Sequence, residues 1–253
     1  MTKVYENVSV IGIDGCKKGW CCCFDDKEKI KVIVIEKIDQ FRLIFPKAQY
    51  VLIDIPIGLS SKKNIRDLDQ FARQHLKPGR TSSVFTAPVR DAIFASSYQQ
   101  ACERNFHITG KKISIQCWNI SKKILEVDNF LDRNKSMKSI LHEAHPEICF
   151  KHLNYNELLS FSKHEKKEGG LKERLIILSK YHQGIYSSFD QAISTHKRKE
   201  LKADDIVDSM CLYVVGQLGA KYGFDKIIGT SMKDEKDIYM KLFYFDPRRI
   251  KVF

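Results

Sequence analysis

The sequence predicts an α/β protein built on a mixed five-stranded sheet, with the first three strands antiparallel and the fourth and fifth parallel to the first. Three observations carry this. Short apolar runs separated by turn residues recur through the first 55 positions, and one helix-period segment lies among them. Two of those runs end on an aspartate and a glycine or proline, as strands do at a sheet edge. A polar, helix-rich stretch of about 60–136 then intervenes before the next apolar run, too long for a simple crossover and therefore a helical insertion. Residues 1–253 are expected to form one domain carrying that insertion.

In chain order, Val8, Val10, Ile11 and Ile13 make a buried strand ending in Gly12-Ile13-Asp14-Gly15. Trp20 to Phe24 and Ile30 to Ile35 follow, joined by the polar turn Asp25-Asp26-Lys27-Glu28-Lys29, which predicts a hairpin. Ile38, Phe41, Ile44 and Phe45 recur at helical spacing until Pro46 stops them. Tyr50 to Ile55 is apolar except for Asp54 and closes at Pro56 and Gly58. Helical patterns cover 64–76, 89–106 and 115–132, with the loop Lys77-Pro78-Gly79-Arg80-Thr81-Ser82-Ser83 among them. Ser139 to Ala144 reads as the fifth strand. Helices are expected at 155–162, 170–181 and 185–195, and a last strong one from Ala203 to Tyr222. Its apolar stripe is Val207, Met210, Cys211, Val214, Val215 and Leu218.

Composition narrows the class. Hydrophobic content of 43% and 11% aromatics exclude a disordered chain. The 43 basic residues exceed the 31 acids, giving +12, but 32 of the basic residues are Lys, so charge alone makes a polyanion partner no more than plausible. The eight cysteines include no CxxC pair, which removes zinc-ribbon and disulfide frameworks and leaves small buried thiols in a reducing compartment. No apolar run approaches bilayer length and Met1 to Val10 lacks a signal-peptide core, so a cytoplasmic protein with no membrane partner is expected.

The acids carry the chemistry. Asp14 and Asp54 each close an apolar strand; if those strands are parallel neighbours, both carboxylates stand at the carboxyl edge, where open α/β sheets place their sites. Asp204, Asp205 and Asp208 open the last helix, and Asp208 lies one turn beyond the others. Gathered carboxylates repel one another until a divalent cation offsets the cost, and two such cations about 4 Å apart can drive phosphodiester hydrolysis. Oxygen-only ligands select Mg²⁺ or Mn²⁺ over Zn²⁺. The plainer account is that Asp204 and Asp205 cap the helix and that a strand-end aspartate is a turn residue, which leaves Asp208 unexplained.

Further along, Gly12-Ile13-Asp14-Gly15-Cys16 with Gly19-Trp20, Asp54-Ile55-Pro56-Ile57-Gly58-Leu59, and the run Gly79 to Arg90 form an ordered set of motifs. It continues through Ser114 to Ile120, Lys123 to Asp128, His142-Glu143-Ala144-His145-Pro146-Glu147 and Asp204-Asp205-Ile206-Val207-Asp208-Ser209. Together they resemble the family called domain of unknown function 429, whose members are described as predicted nucleases with a ribonuclease H-like fold. The resemblance implies that Asp14, Asp54, Asp205 and Asp208 are metal ligands and catalytic acids. It makes Glu143 a further ligand or an orienting group. Ser209 and Thr86 depart from the family's common Ala and Pro, away from the proposed chemistry.

Arg80, Ser82, Ser83 and Arg90 offer guanidinium forks and hydroxyls suited to phosphate or carboxylate, or are ordinary loop residues. Gln116, Lys123 and Glu126 sit on one helix and either face a cleft or, for Lys123 and Glu126, pair with each other. His145, between Glu143 and Glu147, is a candidate general acid or metal-orienting group, or a histidine satisfied by its neighbours. Lys163 to Gly170 could track a phosphate backbone, although Glu165 and Glu168 favour a solvated loop. The leading expectation is a divalent-metal-dependent nuclease or phosphodiesterase whose partner is nucleic acid or another phosphate ester. A nucleotide-dependent phosphotransferase of the sugar kinase-like group and a non-catalytic nucleic-acid-binding module stand as alternatives.

Overall fold

The computed structural model describes residues 3–161 and 169–250. The expected strands form at Val10–Cys16 (β1), Gly19–Asp26 (β2), Lys29–Ile35 (β3), Tyr50–Ile53 (β4) and Leu141–Ala144 (β5). β1 pairs antiparallel with β2, and β2 with β3; β4 runs parallel to β1, and β5 parallel to β4. Those directions agree with expectation, but the strand number does not. Two more strands, Asp225–Lys233 (β6) and Tyr239–Tyr244 (β7), extend the sheet to seven in the order β3-β2-β1-β4-β5-β7-β6. Their signal was legible in part: Asp234-Glu235-Lys236-Asp237 is a turn cluster between two runs containing β-branched and aromatic residues.

The helices among the described residues are Phe41–Ile44 (α1), Leu68–His75 (α2), Arg90–Ile93 (α3), Tyr98–Thr109 (α4), Ile115–Arg133 (α5), Pro146–Leu153 (α6), Gly169–Ser179 (α7), Ile185–Thr195 (α8) and Ala203–Tyr222 (α9). The segment 89–106 is not one helix. It breaks at Phe94, and α4 restarts behind Ser97, whose side chain accepts the Gln100 N–H as an N-cap. The predicted helix at 155–162 is absent over 155–161. Tyr155 and Asn156 hold positive φ there, and the helix forms earlier, at α6, where Pro146 takes the first turn. The Lys-rich stretch 163–168 lies outside the described residues.

The chain divides into two compact units: residues 1–54, 140–225 and 243–253, and residues 55–139 with 226–242. The second takes in the expected insertion and adds the β6–β7 turn. In the first unit, strand alternation sorts β1 between two layers. Val10, Gly12 and Asp14 face α9, whose residue Gly216 lies close to Val10 and Leu52. Ile11 and Ile13 face the opposite layer with Trp20, Cys22 and Phe24, where Phe24 packs edge to face on both Tyr5 and Phe45, Tyr5 stacks on Phe45, and Phe41 lies tilted against Phe45. Helix α9 is buried nearly all round, from Ile206 to Gly216, and is therefore the central helix of that unit and not a one-sided cover.

In the second unit, Val89, Ala92, Ala101, Cys102, Ile113 and Cys117 make a small core shared by α3, α4 and α5. Gly58 holds φ +78, a left-handed conformation open to glycine, and a Cβ there would come 2.6 Å from Met240 Cγ.

Candidate functional site

Asp14 and Asp54 are brought together by register. Ile13 stands opposite Ile53 in the parallel β1–β4 pair, and the Asp54 N–H donates to Ile13 O at 3.0 Å, so the two aspartates follow as the next row. Neighbouring strands lie about 4.8 Å apart. Both carboxylates thus leave the carboxyl ends of adjacent parallel strands on the α9 side. Asp14 is buried, Asp54 is half-buried, and Asp14 Oδ1 accepts the Gly15 N–H at 2.7 Å.

α9 reaches the same face. Cys21 stands opposite Asp14 in the β1–β2 ladder, and its Sγ lies 3.2 Å from Ser209 Oγ. Ser209 Oγ donates to Ile206 O at 2.8 Å, so the Cys21 thiol is left as the donor of the first contact. Burial pushes the Cys21 pKa well above its ordinary value, and the Asp14 charge pushes the same way. Asp208 precedes Ser209 and is buried; its charge raises the Cys211 pKa, which burial already raises, while Arg174 opposes it. Arg174 is itself buried, paired with Glu147 and donating to Gly170 O at 2.9 Å. That buried cation was not signalled by any motif.

Asp205 has a different task. Its Oδ2 accepts the Lys202 N–H at 3.0 Å, the backward arm of a helix cap. For this residue the plainer expectation, that it starts the helix, describes what the structure contains. Glu143 does not share the aspartate row. It stands opposite Ile53 and so belongs to the row of Ile13, on the sheet face away from Asp14 and Asp54. A one-residue offset moves a side chain to the other face, which strand-end position alone does not reveal. His145 lies just beyond, half-buried at the start of α6, where its carbonyl accepts the Cys149 N–H.

The remaining expected residues lie in the second unit. Arg90, expected as a ligand-binding group, is held by acids of its own unit. It is 4% exposed and donates to Asp128 Oδ1 at 2.9 Å, to Asp234, and to Glu235 Oε1 at 3.0 Å. Asp234 also accepts from the backbone of Leu59, Lys236 and Ile238, so the guanidinium is the hub of an internal network. Ser83 Oγ donates to Arg80 O at 2.7 Å, within a short 3-10 turn beside exposed Ser82, and Arg80 is half-buried. Gln116 is exposed and Lys123 half-buried on α5.

A family profile described as "Protein of unknown function (DUF429)" matches residues 12–221. The chain belongs to the DUF429 family. The match takes in β1 through nearly all of α9, and therefore both strand-end aspartates and the acids of the last helix. No curated protein and no solved structure matches this DUF429 chain.

The donors at the β1–β4 edge are carboxylate oxygens, which suit a hard cation such as Mg²⁺ or Mn²⁺. Among the described residues no three His, Cys, Asp or Glu side chains are grouped closely enough to hold a metal ion. Mg²⁺ commonly sits on one or two carboxylates and completes its shell with water and substrate phosphate, so the Asp14–Asp54 pair fits that coordination without a third protein ligand. Among the described residues, no helix is long and apolar enough to cross a membrane.

Proposed function

We propose that this DUF429 chain is a divalent-cation-dependent phosphodiesterase of the nuclease type on a ribonuclease H-like fold, acting at the carboxyl ends of β1 and β4. The observation that supports this is the register pairing of Asp14 with Asp54 on the sheet face that α9 covers. Asp14 and Asp54 are the cation-holding pair, and Asp208 supplies further negative charge from α9. Mg²⁺ or Mn²⁺ bound there would acidify a water and offset charge on the phosphate. The protein's own contribution is orientation. The Gly15 N–H fixes one oxygen of Asp14, and the β1–β4 ladder fixes the spacing of the two carboxylates.

The test is direct. Millimolar Mg²⁺ or Mn²⁺ should raise the melting temperature of the purified protein, because a ligand of the native state stabilises it. Asp14→Asn and Asp54→Asn should each remove that rise together with hydrolysis of a generic phosphodiester and of a mixed oligonucleotide pool. Cation binding with unchanged hydrolysis in Asp14→Asn would overturn the assignment. Stabilisation by a nucleoside triphosphate without strand cleavage would favour the phosphotransferase alternative.

A further inference from the structure

The positive charge of this protein is unevenly distributed. The second unit, residues 55–139 and 226–242, holds 19 Lys+Arg against 10 Asp+Glu, a net +9 of the chain's +12. Its acids are heavily engaged with its own groups. Asp69 pairs with Arg66, and Asp128, Asp234 and Glu235 with Arg90; Asp132 pairs with Lys135, Asp237 with Lys233, and Asp67 accepts from Thr230. These pairs cancel charge one for one, and the remaining excess is carried in part by exposed lysines that include Lys62, Lys63, Lys111, Lys112 and Lys122.

One part of that face is rigid. Lys111 and Lys112 occupy the turn between α4 and α5, both exposed. Buried Asn105 donates through Nδ2 to Lys111 O at 2.8 Å, Thr109 Oγ1 accepts the Lys111 N–H at 3.2 Å, and the Tyr98 hydroxyl donates to Ile113 O at 3.0 Å. From this turn, exposed Gln116, Asn119 and Lys122 continue along α5, whose first turn holds no acid. Seven residues of helix span about 10 Å. The line therefore offers ammonium and amide donors along one exposed edge of the corner.

We infer that the α4–α5 corner of the second unit is a nucleic-acid backbone-binding surface, with Lys111, Lys112 and Lys122 as its phosphate contacts. This rests on the phosphodiesterase reading for its choice of nucleic acid over other polyanions. The binding is electrostatic and independent of sequence, with counterion release as its driving force. The pinned turn fixes the backbone at Lys111, so binding orders side chains there and not the chain that carries them.

Fluorescence anisotropy of the full chain with labelled mixed-sequence oligonucleotides, single-stranded and duplex, in EDTA across a salt series, tests this without any hydrolysis. Binding should weaken with salt. The triple variant Lys111→Ala/Lys112→Ala/Lys122→Ala should lower the slope of log K against log salt by roughly 2–3, at ~0.7–0.9 per phosphate contact. A control of equal charge change in the first unit, Lys27→Ala/Lys29→Ala/Lys47→Ala, should leave the slope unchanged. Equal losses from both triples, no oligonucleotide binding, or equally tight binding of polyglutamate of matched charge would each overturn the inference. Asp14→Asn should bind as the parent does. Binding without hydrolysis would therefore sink the proposed function and spare this surface, and hydrolysis of small diesters without oligonucleotide binding would do the reverse.

Discussion

Gly12 lies directly beneath Ser209: a Cβ at Gly12 would overlap the Ser209 carbonyl oxygen and the Tyr213 nitrogen and stand 2.8 Å from Leu212 C. The obstacles are helix backbone, which cannot rotate aside as a side chain could. Gly12 thus sets how closely α9 approaches β1, two residues before Asp14. Gly12→Ala should destabilise the protein by at least ~2 kcal/mol, as overpacking against unyielding atoms does. Urea denaturation followed by circular dichroism measures it. An unchanged midpoint would mean that α9 does not rest on β1.

Arg90 should behave as a structural cation. Arg90→Ala leaves Asp128 and Asp234 buried without their shared partner, a change that costs about 3–5 kcal/mol. Arg90→Lys should recover only part of this, since an ammonium cannot reproduce the fork that reaches Asp128, Asp234 and Glu235. Thermal melts of the two variants read the effect. Full stability of Arg90→Ala with lost oligonucleotide binding would return Arg90 to a ligand role.

Asp205 and Asp14 should separate in one experiment. Asp205→Ala removes the acceptor of the Lys202 N–H and should cost about 1 kcal/mol, with the cation-induced rise in melting temperature retained. Asp14→Asn should lose that rise. If Asp205→Ala also abolishes it, the aspartate is a ligand as well as a cap.

Glu143 offers a control from the opposite sheet face. Glu143→Gln should preserve the Mg²⁺-dependent rise in melting temperature, because its row is that of Ile13 and Ile53. Loss of the rise comparable with Asp14→Asn would show that the carboxylate reaches round the strand end.

The cysteines should be silent at neutral pH and a liability in alkali. All eight are buried; burial raises the pKa of Cys21, Cys22, Cys23 and Cys211, and pushes Cys117 up to about 12. A thiol reagent should label the native protein slowly and all eight sites after unfolding. An unperturbed thiol titrates at about 8.5, so above that pH the unfolded chain has lost these protons while the native state retains them. With fewer protons on the unfolded state, stability falls as pH rises. Melting temperature should hold up to about pH 8 and drop progressively beyond it. Rapid labelling in native buffer would contradict the burial.

Much of this was legible locally. Val10 to Ile13 and Tyr50 to Ile53 declare buried strands through apolar content alone, and Asp14 and Asp54 stand out because a carboxylate interrupts such a run. Ser97 and Ser114 mark helix starts by side-chain chemistry that acts within three residues. Less legible was the break at Phe94, where both halves carry helical periodicity, and β6–β7, whose outer residues Ile228 and Met232 remain exposed and blur the alternation.

The sequence by itself determined the first five strands, their directions, the central helix and the aspartates at two strand ends. These follow from interactions between residues close in the chain and from a hydrophobic period that needs no partner to be seen. The tertiary structure alone decided that Asp14 and Asp54 share a row while Glu143 faces away, that Asp205 caps its helix, and that Arg90 is enclosed by Asp128, Asp234 and Glu235. Each of those depends on strand register or on contacts between residues far apart in the chain. A shift of one residue reverses a strand's faces without altering its composition.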